Sequence, residues 1–362
     1  MTDFLKHDPL GPVLLVGGYG TVGTELARMA SEEWPLLLTG RSVRRGAELG
    51  RLVGAEVRRW DLADREPFKA AVRAVVGVVN DPDDRVLRAA VASGIPYVDV
   101  TRWTSRVQRA ATVAALLRPA SPILLSSAWM GGVVPLAAAA LAGRLGGADG
   151  VETAVRWDLA DRSGADSIEF MDRLGLDFEV VTDGRHRTVS PLSEPRTVPI
   201  GGERTKVARI DTPEQFTLPL TLGVSTATTR IGFSSAAGTS ALLAVKRLGF
   251  FRWGRGDRWR SARRTLLHSP GEGGVARLRI DVSHGERHAS AVVSDPAGQA
   301  HLTAVGALLG LRRVLGTDGA EPPTGVAFPE QTPLASRVFA ELAALEVRVD
   351  VDEARRADRC PA

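Results

Sequence analysis

The residues with the clearest chemical purpose begin at Gly17. An apolar run, Val13–Val16, leads into Gly17-Gly18-Tyr19-Gly20-Thr21-Val22-Gly23, and a helical pattern follows. This is G-x-G-x-x-G between a strand and a helix, the setting in which the motif has a physical role. Gly18 allows a tight turn. Gly20 lets the backbone approach a pyrophosphate at the positive end of the helix, and Gly23 lets helix and strand pack closely. Tyr19, Thr21 and Val22 complete the cradle, and the expected ligand is a dinucleotide.

The end of the next strand narrows the cofactor. An acidic residue there would hold a ribose 2′-hydroxyl. This chain has Thr39-Gly40-Arg41-Ser42 instead. A guanidinium and a hydroxyl bind a 2′-phosphate that a carboxylate would repel, so Arg41 and Ser42 point to NADP(H) over NAD(H). Asp61, after the third strand, either reaches the adenine amino group or caps a helix.

These residues need a frame to position them. Short apolar runs alternate with helical patterns through the first half. Strands are expected at 12–16, 36–39, 55–60, 75–79, 96–100 and 123–126, with helices at 21–33, 43–52, 64–72, 83–92 and 104–117. Such alternation implies a Rossmann-type doubly wound parallel sheet, an α/β fold. After about residue 150 the pattern becomes hairpins with a few helices. One hairpin is expected around Asp183-Gly184, another around residues 283–287, and helices at 166–174, 236–248, 299–315 and 333–345. This reads as an α+β domain with a mixed or antiparallel sheet. The expected domains are residues 1–130 for the dinucleotide, 131–320 for substrate and dimerisation, and 321–362 as a C-terminal helix and tail that could return to the first domain. The sequence RWDLADR occurs at residues 59–65 and 156–162, but the flanks do not match. Each copy reads as a strand end followed by capping aspartates.

Composition excludes several classes. The chain has 362 residues, 44% hydrophobic and 24% charged, an ordinary globular balance for about two domains. No apolar run reaches the roughly 18 residues of a membrane span, and the N-terminus lacks a secretory signal pattern, so the cytoplasm is the expected compartment. Cys360 is the single cysteine. It excludes a disulfide framework, and no metal-ligand spacing is present among the six histidines. The net charge is +4, but only four basic residues are lysines. The excess arginine reads as compositional bias, and no nucleic-acid partner is expected. The segment from Phe250 to Arg264 concentrates aromatics and arginines. Structural packing is its first reading, and contact with an anionic substrate, a membrane or a lipid is the alternative.

The first domain resembles the saccharopine dehydrogenase (saccharopine reductase-like) oxidoreductases. The resemblance rests on the glycine motif, Gly40-Arg41-Ser42, Val78-Val79-Asn80, and Gly94-Ile95-Pro96-Tyr97-Val98-Asp99-Val100-Thr101. It covers about residues 12–140 and is vague beyond. It implies a second domain supplying dimer contacts and part of the substrate cleft, Asn80 near the nicotinamide, and NADPH-linked chemistry at a carbon–nitrogen bond. Three positions depart from the family pattern: Asp81-Pro82, Arg102-Trp103, and Ala128-Trp129-Met130-Gly131-Gly132. All follow strands at the substrate side, which argues against saccharopine itself.

Hydride transfer often needs one proton donor. Asp99 and Thr101 end the fifth strand, where Asp99 could orient an amine or relay a proton. Asp81 could do likewise, although an Asp-Pro pair more often starts a turn. Trp129 could wall the site, and His301 is the histidine best placed for acid–base work. His284 and His288 are expected in solvent. The expected function is reduction of an imine formed from an amine and a carbonyl compound, by a small-molecule-specific homodimer. The alternatives are reduction of a carbon–carbon double bond in a lipid or polyketide-like substrate, and a cofactor-binding scaffold or sensor without turnover.

Overall fold

The computed structural model describes residues 4–64, 66–161, 173–253, 259, 271 and 273–355. The chain divides into two compact units. The first runs to Val133 and resumes over Thr303–Leu334. The second holds Val134–Leu302 and resumes at Ala335.

The first unit is built on a seven-stranded parallel sheet. Its strands are β2 (Val13–Val16), β3 (Leu36–Gly40), β4 (Glu56–Arg59), β6 (Ala74–Gly77), β7 (Tyr97–Asp99), β8 (Ile123–Leu125) and β17 (Val326–Ala327). They lie in the order β17-β8-β7-β6-β2-β3-β4, the doubly wound arrangement expected from the alternating pattern. β2 is buried at every residue, as a central strand covered on both faces must be. Four helices belong to crossovers: α1 (Thr21–Ala30), α2 (Val43–Leu52), α3 (Arg85–Ala92) and α4 (Thr104–Leu117). α1 buries Gly23, Leu26, Ala27 and Ala30, spaced as one helical face.

One element departs from expectation. Residues 64–72 do not form a helix. β5 (Lys69–Val72) pairs in parallel with an N-terminal strand, β1 (Phe4–His7). Phe68 stacks on Trp60 at 4.4 Å and 7°, and Leu5, Phe68 and Val72 join the core. Pairing with a distant segment outweighs a short helical pattern that has no buried face of its own.

The domain limits also differ from the sequence reading. Residues 303–320 belong to the first unit rather than the second; residues 321–334 return to the first unit as the tail could, while residues from 335 belong to the second. Small residues explain the first difference. A Cβ at Gly310 would lie 3.1 Å from Val98 Cγ1 and 3.2 Å from Leu124 Cδ2, so the helix Gln299–Leu315 can approach the sheet closely. Pairing explains the second, because β18 (Arg348–Arg355) is an antiparallel partner of β16 (Arg287–Asp295).

The second unit holds a mixed seven-stranded sheet, order β12-β13-β14-β9-β15-β16-β18. β9 (Gly150–Trp157) and β14 (Thr226–Phe233) run parallel. β12 (Arg196–Ile200), β13 (Glu203–Arg209) and β15 (Ala276–His284) join antiparallel. The hairpin β10 (Phe178–Thr182) and β11 (Arg185–Val189) turns at Asp183-Gly184, both at positive φ, as that dipeptide demands. The β12–β13 hairpin and the helix Glu214–Thr221 are not evident from periodicity. The sequences of β12 (RTVPI) and β13 (ERTKVAR) do not alternate apolar and polar residues, and Pro219 lies inside the helix. The RWDLADR copies share a local structure. Asp61 Oδ1 accepts from the Ala63 N–H, and Asp158 Oδ1 from the Ala160 N–H, both at 3.1 Å, each just past a strand. The expected helix at 166–174 falls largely outside the described residues.

Candidate functional site: a glycine turn at the sheet's switch point

Sheet order reverses between β2 and β6, and the glycine turn leaves β2 at that point. Gly17 has φ +85°, so the left-handed residue of the tight turn is Gly17, one position before the Gly18 to which the sequence reading gave that turn. A Cβ at Gly17 would sit 2.9 Å from Val79 Cβ, and one at Gly18 would sit 2.9 Å from Leu15 Cβ. Gly18 is therefore required for packing rather than for its dihedral. A Cβ at Gly23 would overlap the Gly17 carbonyl oxygen. At Gly20 a Cβ would meet only that oxygen, at 3.3 Å, so its outer side is open. Gly20 caps α1 with no side-chain hydrogen bond, and the first turn carries no acidic residue. The first-turn amides and the helix dipole are thus directed at open space, and the shape fits a pyrophosphate.

Tyr19 ties this turn to the end of β3. Its hydroxyl accepts from the Ser42 N–H at 2.9 Å. Its ring fills the space where side chains at Gly40 and Gly46 would be. Arg41 is exposed and forms no ion pair among the described residues. Asp61 is engaged locally: besides the Ala63 N–H it has Arg59 Nη2 at 3.8 Å. The helix it was expected to cap does not form, and its carboxylate instead closes the turn after β4.

The carboxyl ends of β6, β7 and β8 hold a buried ion network. Arg102 is 3% exposed at its side chain. Its Nε donates to Asp99 Oδ2 at 2.5 Å, its Nη1 pairs with Asp84, and its Nη2 is 3.9 Å from Asp81 Oδ2. Asp99 also accepts from the Ser127 hydroxyl and, at 3.3 Å, from the Tyr97 hydroxyl. Arg109 Nε reaches Asp84 Oδ2 at 2.7 Å. Asp81 accepts from the Arg85 and Val86 N–H groups at 3.0 and 2.8 Å, which makes it a cap for α3. Burial raises the Asp81 pKa, against the lowering effect of those two N–H groups and Arg102. Burial also opposes charge on Arg102, but Asp99 and Tyr97 outweigh it and its pKa is raised. Burial, then Asp99, push the Tyr97 hydroxyl well above its usual range.

The remaining candidates lie around this network. Thr101 Oγ1 donates to the Val79 carbonyl at 3.0 Å, and Asn80 Oδ1 accepts from Arg106 Nη1 at 2.8 Å. Both therefore border the segment that touches Gly17. Trp129 is half-buried. After it, Met130, Gly131 and Gly132 all take positive φ, and a Cβ at Gly131 would overlap the Thr303 carbonyl. The altered turn is thus shaped by its seat on the helix Gln299–Leu315. Asp84 and Arg102 were not legible as partners, because 18 residues separate them and Asp84 sits at φ +55°.

In the second unit His301 Nδ1 lies 2.8 Å from Asp295 Oδ2. His284 and His288 are half-buried rather than in solvent; His284 lies 3.4 Å from Asp149 and packs on Gly147. Of the Phe250-to-Arg264 segment, Phe250, Trp253 and Trp259 meet edge to face at 5.1–6.1 Å. Its residues 254–258 and 260–264 lie outside the described residues, as do Cys360 and His268. Among the described residues no helix is long and apolar enough to cross a membrane.

The chain thus combines a Rossmann-type unit, with a glycine turn at its switch point, and a mixed-sheet unit. The fold is similar to that of saccharopine dehydrogenase (L-Glu forming) from Saccharomyces cerevisiae, with a TM-score of 0.67 and 11% identity over 95% of this chain and 100% of that one. It is also matched to an oxidoreductase from Agrobacterium radiobacter in complex with NAD+, L-tartaric acid and magnesium, at a TM-score of 0.43 and 15% identity over 94% of this chain and 98% of that one. Scyllo-inositol dehydrogenase from Lactobacillus casei, with bound NAD(H) and scyllo-inositol, matches at a TM-score of 0.45 and 10% identity over 95% and 98%. No protein-family model and no curated protein matches the sequence.

Proposed function

We propose that this protein is an NADP(H)-dependent oxidoreductase acting on an imine formed from an amine and a carbonyl compound. The observation that carries the dinucleotide reading is the glycine turn, open at Gly20, with Gly17 against Val79 at the switch point. The α1 amides would bind the pyrophosphate. Arg41 and the Ser42 hydroxyl would bind a 2′-phosphate, with Tyr19 holding the Ser42 backbone in place. When bound, the nicotinamide supplies a hydride donor or acceptor. Asn80 and Thr101 would border the reacting end. Arg102 Nε donates to Asp99 and fixes it, so Asp99 would act as a positioning group beneath the site.

One observation favours a second reading. Both Asp99 oxygens are already engaged, and the side chain is buried. Among the described residues no open carboxylate remains at that strand end for proton transfer, as a cofactor-binding scaffold without turnover would show.

Titration of the tryptophan fluorescence with NADPH and with NADH tests the first reading. NADPH is expected to bind roughly tenfold to a hundredfold tighter than NADH, and Arg41→Ala to remove most of that preference, consistent with about 1.4–2.8 kcal/mol. Failure of both cofactors to bind would sink the proposal. Unchanged preference in Arg41→Ala would overturn the 2′-phosphate assignment. NADPH binding without consumption across paired amines and carbonyls would favour the scaffold.

A further inference from the structure

A charged group in the second unit has no part in the site above. Arg209 on β13 and Arg230 on β14 are register partners, so both side chains leave the same face of the sheet. Both residues are buried, at 5% exposure. Like charges directly opposite each other repel, and burial sharpens the need for counter-charge. The two carboxylates that answer them are half in solvent. Glu194 Oε2 accepts from Arg209 Nε at 2.7 Å and from Arg230 Nη2 at 3.4 Å. Glu152 Oε1 stands 3.7 Å from Arg230 Nη1 and is engaged by Arg196 Nη2 at 2.5 Å.

This leaves Arg209 Nη1 and Arg230 Nε and Nη1 buried without a hydrogen-bond partner. The hydroxyl of Ser193 is in the same condition, and the Ser193 carbonyl accepts from the Arg209 N–H at 3.0 Å. Orphaned guanidinium donors in a native interior need an explanation. The loop that carries Glu194 is strained as well: Leu192 and Glu194 take φ +57° and +46° without being glycine. Ser193 and Glu194 line a cavity of about 530 Å³, as do Lys246 and Arg247.

We propose that the Arg209–Arg230 pair is a binding site for a phosphate group, and that Glu194 fills its seat when no anion is present. Glu194 offers the two guanidiniums one carboxylate oxygen. A phosphate brings more acceptor oxygens and up to two charges, and its geometry suits paired forks. Glu194 lines the neighbouring cavity but Arg209 and Arg230 do not, so the seat is defined by the two guanidiniums alone, and its occupant is either free phosphate or a phosphate monoester. The site is independent of the dinucleotide reading, because every residue in it lies outside the first unit.

Thermal unfolding of the full chain in phosphate-free buffer, with and without inorganic phosphate, tests this. The wild-type midpoint is expected to rise by about 2–4 °C near saturation. Glu194→Gln removes the competing carboxylate and the counter-charge. It is expected to start lower and gain more from phosphate than the wild type does. Arg230→Met is expected to gain nothing. Arg41→Ala is expected to gain as much as the wild type, which separates this site from the dinucleotide cradle. An equal gain in Glu194→Gln and wild type, or a full gain in Arg230→Met, would overturn the proposal. If Arg230→Met does not fold, Arg230→Lys keeps the charge but loses the fork, and calorimetry should show phosphate binding weakened roughly tenfold. Unchanged affinity there would also overturn it. Tighter binding of glycerol phosphate than of inorganic phosphate would identify a phosphorylated molecule as the occupant, and the reverse order the free anion.

Discussion

Replacing Arg102 with methionine is expected to destabilise the protein by about 3–5 kcal/mol, the scale for removing one partner of a buried ion pair. Arg102 is the buried cation among Asp81, Asp84 and Asp99, all at 5% exposure or less. Arg109, which also reaches Asp84, is half-exposed and cannot replace it. Without Arg102, three carboxylates remain in a low-dielectric interior, and the strand ends of β6 and β7 lose their common tie. The pH dependence has a definite sign. Burial holds Asp81 above its ordinary value of 3.8. A raised folded-state pKa stabilises below the unfolded value and loses that contribution as pH rises through the folded value. Removing Arg102 takes away one of the effects that lowers it. The deficit of Arg102→Met should therefore be largest near neutral pH and shrink toward about pH 4. Urea unfolding at several pH values measures it. A deficit under about 1 kcal/mol, or one that grows on acidification, would show that the network is not held by this charge.

The second large effect is expected at Gly23. A methyl group there would overlap the Gly17 carbonyl oxygen, and its nearest neighbours are backbone atoms of Gly17 and Gly18 rather than a flexible side chain. Gly23→Ala should lose about 1–3 kcal/mol of stability, the cost of forcing a methyl group into a packed site. It should also lose dinucleotide affinity by roughly tenfold or more, because α1 must move away from the turn. Gly20→Ala separates the two consequences. Its Cβ meets a single oxygen at 3.3 Å, so the fold should tolerate it. The side chain would nevertheless stand on the open side of the turn, where the pyrophosphate is expected. Gly20→Ala should keep its unfolding midpoint and lose NADPH affinity by a similar factor. If Gly20→Ala binds NADPH like the wild type, the cradle has been assigned to the wrong face.

Much of the first unit was legible because its signals are local. The helices at 43–52 and 104–117 emerge with the limits read from the sequence, and six of the seven strands of the parallel sheet appear within two residues of expectation, β17 being the unanticipated one. Periodicity and a glycine turn in the right setting are short-range properties. β5 was misread for the opposite reason. Lys69–Val72 has no strong alternation, and its partner lies more than 60 residues away at Phe4–His7. The β12–β13 hairpin was missed because its residues answer to charges on other strands. Arg156 and Arg277 both reach Glu203, and Arg196 reaches Glu152.

The arginine excess shows the same division. Composition could only call it a bias. In the fold, Arg102, Arg209, Arg230 and Arg313 are buried, while Arg41 stands exposed beside the glycine turn. By itself the sequence determined the class of fold, the place of the glycine turn and the absence of a carboxylate at the end of β3, since each depends on residues close in the chain. Tertiary structure alone decided that Gly17 makes the left-handed turn, that Tyr19 braces Ser42, and that Asp81 and Asp99 serve a buried arginine. Those roles depend on groups brought together from separate strand ends, where desolvation and Coulomb attraction act over ångströms rather than over positions in the chain.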